Sequence, residues 1–195
     1  MGKIVCLMGK SSSGKDTIYK KLLSQEKVAL QHIVPYTTRP IRAGERDGIE
    51  YHFTDEDGFQ ELLCKGDVIE ARAYHTRLGL WRYFTVRDDS IDLERHSYLM
   101  IITLEGYGQI RKFYGKDKVL PVLIELDDGV RLQRALDREK AQDQPKYEEM
   151  CRRFLADAED FSEEKIREAG IERRFHNDEL DNCLEEIMIC LEENL

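Results

Sequence analysis

Nine residues near the start of the chain have the types and spacing to hold phosphate: Gly9, Lys10, Ser11, Ser12, Ser13, Gly14, Lys15, Asp16 and Thr17. A glycine, four residues and then Gly-Lys is the spacing of a phosphate-binding P-loop. The glycines let the backbone turn tightly with its N–H groups converging, and a helix starting there points its positive end at the same spot. Lys15 would then reach the β and γ phosphates as a mobile point charge. The expected ligand is a nucleoside triphosphate. After Lys15 comes Asp16, where a hydroxyl would ordinarily ligate Mg²⁺; the hydroxyl arrives one step later, at Thr17. Asp16 could hold the metal through water, or simply suit a helix N-terminus as an acidic first-turn residue. A Gly/Ser-rich turn before a helix is the competing reading, and the flanking elements argue against it.

Those elements are an apolar strand over residues 3–8 and a helical run over 18–23. Further strands are expected at 28–34, 49–53, 68–74 and 80–85. Thr54 would cap a helix carrying Phe59, Leu62 and Leu63. A helix is expected at 90–96, then a continuously apolar strand at 98–104, a helix at 107–113 and a second buried strand at 119–125. Residues 131–140 read as a helix. A longer one follows Pro145, with a stripe of Tyr147, Met150, Cys151, Phe154, Ala158 and Phe161. Gly170 stops it, 173–176 is extended, and Asn177 can cap a last helix whose stripe is Leu180, Leu184, Ile187 and Leu191. Strands alternating with helices behind a phosphate loop imply an α/β fold, a P-loop NTPase parallel sheet flanked by helices. The strand-rich stretch 35–85 interrupts the alternation and reads as an inserted lobe.

At 195 residues the chain suits one well-buried domain. A net charge of −9 opposes a general nucleic-acid or anionic-membrane binder. No apolar run approaches a membrane span, and the chain opens on core strand instead of a signal segment, so a cytoplasmic location is expected. Cys6, Cys64, Cys151, Cys183 and Cys190 form no C-x-x-C pair and read as small buried hydrophobes in a reducing compartment. Five scattered histidines offer no metal-ligand spacing and no evident nucleophile–base arrangement.

The stretch from Thr37 to Phe53 runs Thr-Thr-Arg39-Pro-Ile-Arg42-Ala43-Gly-Glu45, then Asp47-Gly48 and Tyr51. It closely resembles the monophosphate-binding signature of guanylate kinases, and the resemblance extends over essentially the whole chain, more loosely after Thr85. It implies that Arg39, Arg42 and Tyr51 grip the phosphate of an acceptor, since guanidiniums present paired donors to phosphate oxygens. It also implies that Glu70 reads the N–H edge of guanine and that Tyr83 and Thr85 complete the pocket. The sequence departs from the family pattern at Pro35, which replaces a base-contacting Ser. It departs again in a longer segment between Glu70 and Tyr83, which contains Trp81. Ile101 and Thr103 stand where the family carries aspartates, leaving Glu105 as the nearest acid.

By the same resemblance, Arg134 and Arg138, one helical turn apart, and Arg153 belong to a lid that stabilises charge during phosphoryl transfer. Arg134 and Arg152 are equally explained as members of a salt-bridged helix surface. Asn177 would contact adenine, or cap a helix, or both. The implied organisation is a core of 1–34, 86–127 and 156–195, a monophosphate-binding insert of 35–85 and a helical lid of 128–155. The implied activity moves the γ-phosphoryl of ATP to GMP or dGMP, with Lys15, Arg39, Arg138 and Arg153 catalytic. Mg²⁺ would be bound mainly through the ATP phosphates, with no protein metal ligand assigned, and the chain would be a monomer or homodimer. Two rivals stay open: a kinase for a different nucleotide or phosphorylated metabolite, and a non-catalytic guanylate-kinase-like interaction module.

Overall fold

β1 (Ile4–Gly9) lies at the centre of the molecule, and all six of its residues are buried. Its side chains alternate between two apolar layers: Ile4, Cys6 and Met8 enter one, Val5 and Leu7 the other. The computed structural model describes residues 2–42, 44–76, 79–88 and 90–195. Ala43 of the arginine-bearing signature and Arg77 and Leu78 of the long hairpin segment lie outside them.

Five parallel strands form the main sheet. β2 (Gln31–His32), β7 (Tyr98–Ile101), β1, β8 (Val119–Glu125) and β9 (Arg174–His176) lie side by side in that order. α1 (Lys15–Leu23) and α7 (Leu180–Asn194) cover one face, with Ile18, Leu22, Cys183, Ile187, Cys190 and Leu191 in the layer. α3 (Leu104–Tyr114) and α6 (Glu163–Glu168) cover the other through Leu104, Tyr107, Ile110 and Ile166. In such a sheet ligands sit beyond the carboxyl ends of the strands, where β1 runs into the glycine loop.

A second sheet gathers β3 (Tyr36–Thr37), β4 (His52–Phe53), β5 (Val68–Thr76) and β6 (Gly79–Val86) in the order β4-β3-β6-β5. α2 (Glu56–Lys65) packs Phe59 on Phe84 and Val86 of this sheet. A bulge between Val68 and Glu70 sets the register of the β5–β6 hairpin, so that Glu70 faces Thr85, Arg72 faces Tyr83 and Tyr74 faces Trp81. These six residues share one face of the hairpin. α4 (Asp128–Lys140) and α5 (Tyr147–Asp160) pack on each other near the loop end of the main sheet.

Several expectations are corrected. Of residues 28–34 the strand keeps only Gln31 and His32, with the Ile33 N–H still donating to the Leu99 carbonyl; Ala29, at a left-handed φ of 42°, breaks the extended backbone before it. The expected helix at 90–96 is a set of turns. Asp88 accepts the Ser90 N–H, and Asp92 accepts the Glu94 N–H while its own N–H goes to the Tyr98 hydroxyl. Such side-chain bonds compete with a helical ladder. The strand 98–104 stops at Ile101 and Thr103 caps α3 instead, accepting the Gly106 N–H. Asp55, not Thr54, caps α2, accepting the Gly58 N–H. Of the stripe expected after Pro145 only Phe161 enters the core, and it lies just beyond the end of α5, which itself has no fully buried residue. Cys64 and Cys151 are exposed, contrary to the reading of all five cysteines as buried. Asn177 caps nothing, because α7 starts after Glu179 and the Asn177 amide is engaged elsewhere.

Candidate active site

The glycine loop is shaped by what it must avoid. A Cβ on Gly9 would lie 2.6 Å from the Ile124 carbonyl oxygen of β8, so only glycine lets the loop leave the sheet here. Ser12 holds a left-handed φ of 63°, a conformation that costs energy in a non-glycine residue and clusters at ligand sites. The Ser12 and Ser13 hydroxyls are buried without a hydrogen-bond partner among the described residues. Buried polar groups are seldom left so, and an anion held by the loop would give these hydroxyls acceptors. Gly14 precedes α1 at a φ of 90° and provides no side-chain cap; the Thr17 N–H turns back to the Gly14 carbonyl, and the Lys15 and Asp16 N–H groups are left for an anion. Lys15 is half-buried and makes no ion pair among the described residues. Asp16 and Thr17 are exposed on the first turn.

Two helices, α4 and α5, and the residue that follows β9 brace this loop. The Asn177 amide, buried at the end of β9, donates to the Ser13 carbonyl at 2.7 Å. Asp157 of α5 accepts the Ser11 N–H at 2.7 Å. Arg131 of α4 is fully buried and donates to the Ser11 carbonyl at 3.0 Å and to Asp157 at 3.0 Å, with a further ion pair to Asp128. Its guanidinium also lies over the Phe154 ring. Lys10 pairs with Asp128 at 3.4 Å. Arg134 reaches the loop as well, its Nη1 3.8 Å from where a Gly14 Cβ would stand.

The second cluster sits on the smaller sheet. Thr37 and Thr38 clasp the backbone of Arg82: the Thr37 hydroxyl donates to its carbonyl at 2.8 Å, and Thr38 accepts its N–H at 2.9 Å. That clasp fixes Arg39, which is 3% exposed. Glu45 accepts two hydrogen bonds from the Arg39 guanidinium, at 2.7 and 2.5 Å. Those bonds hold the Glu45 carboxyl down at about 2. Arg39 lies 4.9 Å from the centre of the Tyr51 ring, which itself meets Tyr83 at 5.6 Å. Burial pushes the Tyr51 phenol up, while the Arg39 and Arg72 charges oppose the shift. Arg39 Nε is buried with no partner among the described residues, a donor waiting for an anion. Arg42 is exposed over Trp81, so the extra length of the hairpin brings an aromatic face to this arginine.

Glu70 is fully buried. It accepts the Thr85 hydroxyl at 2.9 Å and two bonds from Arg72, and Oε2 lies 3.2 Å from where a Gly106 Cβ would stand, against the first turn of α3. Ile101 is half-buried in the core, Thr103 is the α3 cap, and Glu105 is exposed.

The geometry therefore brings together Gly9 to Thr17 with Arg134 and Asn177 at one site, and Arg39, Tyr51, Glu70, Tyr83 and Thr85 at another, with Arg42 at its rim. Arg138 and Arg153 are not drawn to either. Arg138 is exposed on α4, and Arg153, exposed on α5, is held by Glu149 at 2.8 Å, as is Arg152 at 2.7 Å. Sequence reasoning missed Glu45, Arg72, Arg131 and Asp157. Arg72 had a signal, since it stands two residues from Glu70 on a strand and so on the same face. Arg131 and Asp157 had none, being brought together only by tertiary packing. Among the described residues no group of three or more His, Cys, Asp or Glu could hold a metal ion, and no helix is long and apolar enough to cross a membrane.

Comparison with known proteins gives one consistent result. The Guanylate kinase family model matches residues 1–193. A guanylate kinase of Alkalilimnicola ehrlichii is 30% identical over 188 residues, covering 95% of this chain and 86% of that one. A guanylate kinase of Schizosaccharomyces pombe is 43% identical over 56% of this chain and 53% of its own length. A crystal structure of guanylate kinase from Anaplasma phagocytophilum superposes with a TM-score of 0.66 at 23% identity, covering all of this chain and 87% of the other.

Proposed function

We propose, for a chain that belongs to the guanylate kinase family, transfer of the γ-phosphoryl group of ATP to GMP or dGMP, giving ADP and the nucleoside diphosphate. The observation that carries the acceptor half is Arg39: a buried guanidinium with an unpartnered N–H, set over the Tyr51 and Phe53 rings and steadied by Glu45. A phosphate dianion supplies the acceptors this arrangement lacks. The donor half rests on the glycine loop, where the Ser12 and Ser13 hydroxyls have no partner among the described residues and α1 starts, at Lys15, without a side-chain cap.

In this reading Lys15 and the loop hold the donor phosphates, Arg134 flanks them, and Asn177 keeps the loop in shape while lying where adenine would approach. Arg39, Arg42, Tyr51 and Tyr83 hold the acceptor phosphate. Its oxygen attacks the γ-phosphorus in line as the bond to the ADP oxygen breaks, so no covalent enzyme intermediate is needed. Arg138 and Arg153 would join by lid movement, Arg153 exchanging Glu149 for phosphate. The donor set fits Mg²⁺ carried by the nucleotide, with Asp16 and Thr17 facing solvent beside the loop. Such an ion neutralises the donor phosphates. The proposal takes 35–85 as the acceptor lobe and 128–155 as the lid. It also places the chain in the cytoplasm, in keeping with five unpaired cysteines.

A coupled assay of ADP release with GMP, dGMP, AMP, CMP and UMP tests the proposal. GMP and dGMP are expected to turn over best by at least an order of magnitude. Turnover of AMP, CMP or UMP as fast as GMP removes the guanine assignment, and no turnover of any monophosphate removes the kinase.

A further inference from the structure

The carboxylate expected to read the base is already engaged. Glu70 is 0% exposed at its side chain, and its oxygens accept three hydrogen bonds from within the protein. Thr85 Oγ1 donates to Oε1 at 2.9 Å, Arg72 Nη2 donates to Oε1 at 3.3 Å, and Arg72 Nε donates to Oε2 at 3.2 Å. A carboxylate offers about four lone-pair positions, so one is left, on the oxygen that faces the first turn of α3.

Arg72 is in the opposite condition. A guanidinium has five N–H donors in a planar fork, and here the Nε/Nη2 edge lies along Glu70. The other edge, Nη1 with the second Nη2 hydrogen, has no protein partner among the described residues, and the side chain is 17% exposed. Arg72 stands beside the acceptor cluster. Arg72 lies opposite Tyr83 in the hairpin, and its charge acts on the Tyr51 phenol.

We propose that Arg72 is a specificity-determining residue for the acceptor base, its free edge donating to two adjacent acceptors, O6 and N7 of a 6-oxopurine, while Glu70 and Thr85 hold it in place. A guanidinium edge matches that pair of acceptors in a bidentate way. Adenine offers N7 beside an amino group, which sets donor against donor at the second position. Pro35 has no N–H or hydroxyl to give the base, and Arg72 supplies the donors that position lacks. The inference rests on the guanylate kinase reading and changes which side chain does the reading.

The test compares kcat/KM for GMP, IMP, AMP and 7-deaza-GMP in the unmodified protein, Arg72→Lys and Arg72→Gln. The unmodified protein is expected to prefer GMP to 7-deaza-GMP by roughly tenfold or more, because the analogue lacks only the N7 acceptor. Both substitutions keep a donor for Glu70 and remove the fork. They are expected to lower GMP and IMP together by roughly 10- to 100-fold, to erase the preference over 7-deaza-GMP, and to collapse the GMP-to-AMP ratio. Equal use of GMP and 7-deaza-GMP by the unmodified protein overturns the inference, whether or not the variants fold. A loss confined to GMP and sparing IMP also overturns it, since Arg72 would then only brace a Glu70 that reads the 2-amino group. AMP used as well as GMP by the unmodified protein refutes the underlying guanylate kinase reading instead, and the inference with it.

Discussion

Arg131→Met removes the clamp between the donor loop and the two helices above it, and the structure sets the size of the effect. The side chain is 1% exposed and touches three partners. Breaking a buried ion pair costs about 3–5 kcal/mol when the remaining charge is fully enclosed. Here Asp128 is 53% exposed and Asp157 16%, so water relieves most of the first loss and part of the second. The Ser11 carbonyl loses a charge-assisted bond, about 1 kcal/mol or somewhat more, and methionine restores part of the packing on Phe154. A net cost of about 2–3 kcal/mol follows, or about 5–10 °C in Tm for a chain of this size. Urea denaturation measures it directly. Asp157→Asn keeps an oxygen for the Ser11 N–H and should cost about 1 kcal/mol. Because both residues meet at Ser11, the double variant should show a coupling of about 1 kcal/mol. Melting with and without Mg-ATP adds the functional side, since a loosened loop should lose much of the stabilisation a native-state ligand confers. A variant within about 0.5 kcal/mol of the unmodified protein, or strictly additive losses, would show that the clamp holds nothing.

Three further outcomes follow from the same geometry. Lys15→Ala should lower kcat by about 10²–10³-fold or more while leaving Tm unchanged, because the side chain is half-buried and ion-pairs with nothing described; retained turnover refutes its role. Gly14→Ala puts a Cβ 2.2 Å from Asn177 Nδ2 at a φ of 90°, so it should cost about 1–3 kcal/mol and weaken ATP about tenfold, read by calorimetry. Unchanged ATP affinity would mean that Asn177 does not hold the loop. The Arg39 guanidinium holds Glu45 at about 2, below its ordinary 4.5, so the pair stabilises the fold fully above pH 4.5 and loses its effect as pH falls toward 2. The difference in urea midpoint between the unmodified protein and Glu45→Gln should therefore be largest near pH 6 and shrink by pH 2.5; a constant difference contradicts the assignment.

How much of this was legible in the sequence depends on the range of the force that fixes each residue. β8 could be read to the residue because every side chain in a doubly covered strand answers to the same demand for apolar volume. The glycine loop was legible for a related reason: its backbone geometry is local, and only certain residues can adopt it. Residues 90–96 failed because Asp88 and Asp92 bind nearby backbone N–H groups, a local competition that hydrophobic periodicity ignores. Asn177 failed for the opposite reason. Its place before a helix suggested a cap, but its amide reaches Ser13, 164 positions away in the chain.

The candidate site divides along the same line. Arg39 and Tyr51 of the Thr37–Phe53 signature could be found because they are close in sequence, and the backbone clasp beside Arg39 is made by Thr37 and Thr38. The base pocket was half legible: Glu70 was marked by its match to the family pattern, but what it does depends on Arg72. A strand alternates its faces, so positions 70 and 72 must share one, and opposite charges there will pair unless something else claims them. Once they pair, and with the Thr85 hydroxyl added, the carboxylate has one acceptor position left and the guanidinium has an edge to spare. A sequence position matched to a family can therefore keep its residue and change its task. The neighbour two places along decides which, and it does so through hydrogen-bond counting alone.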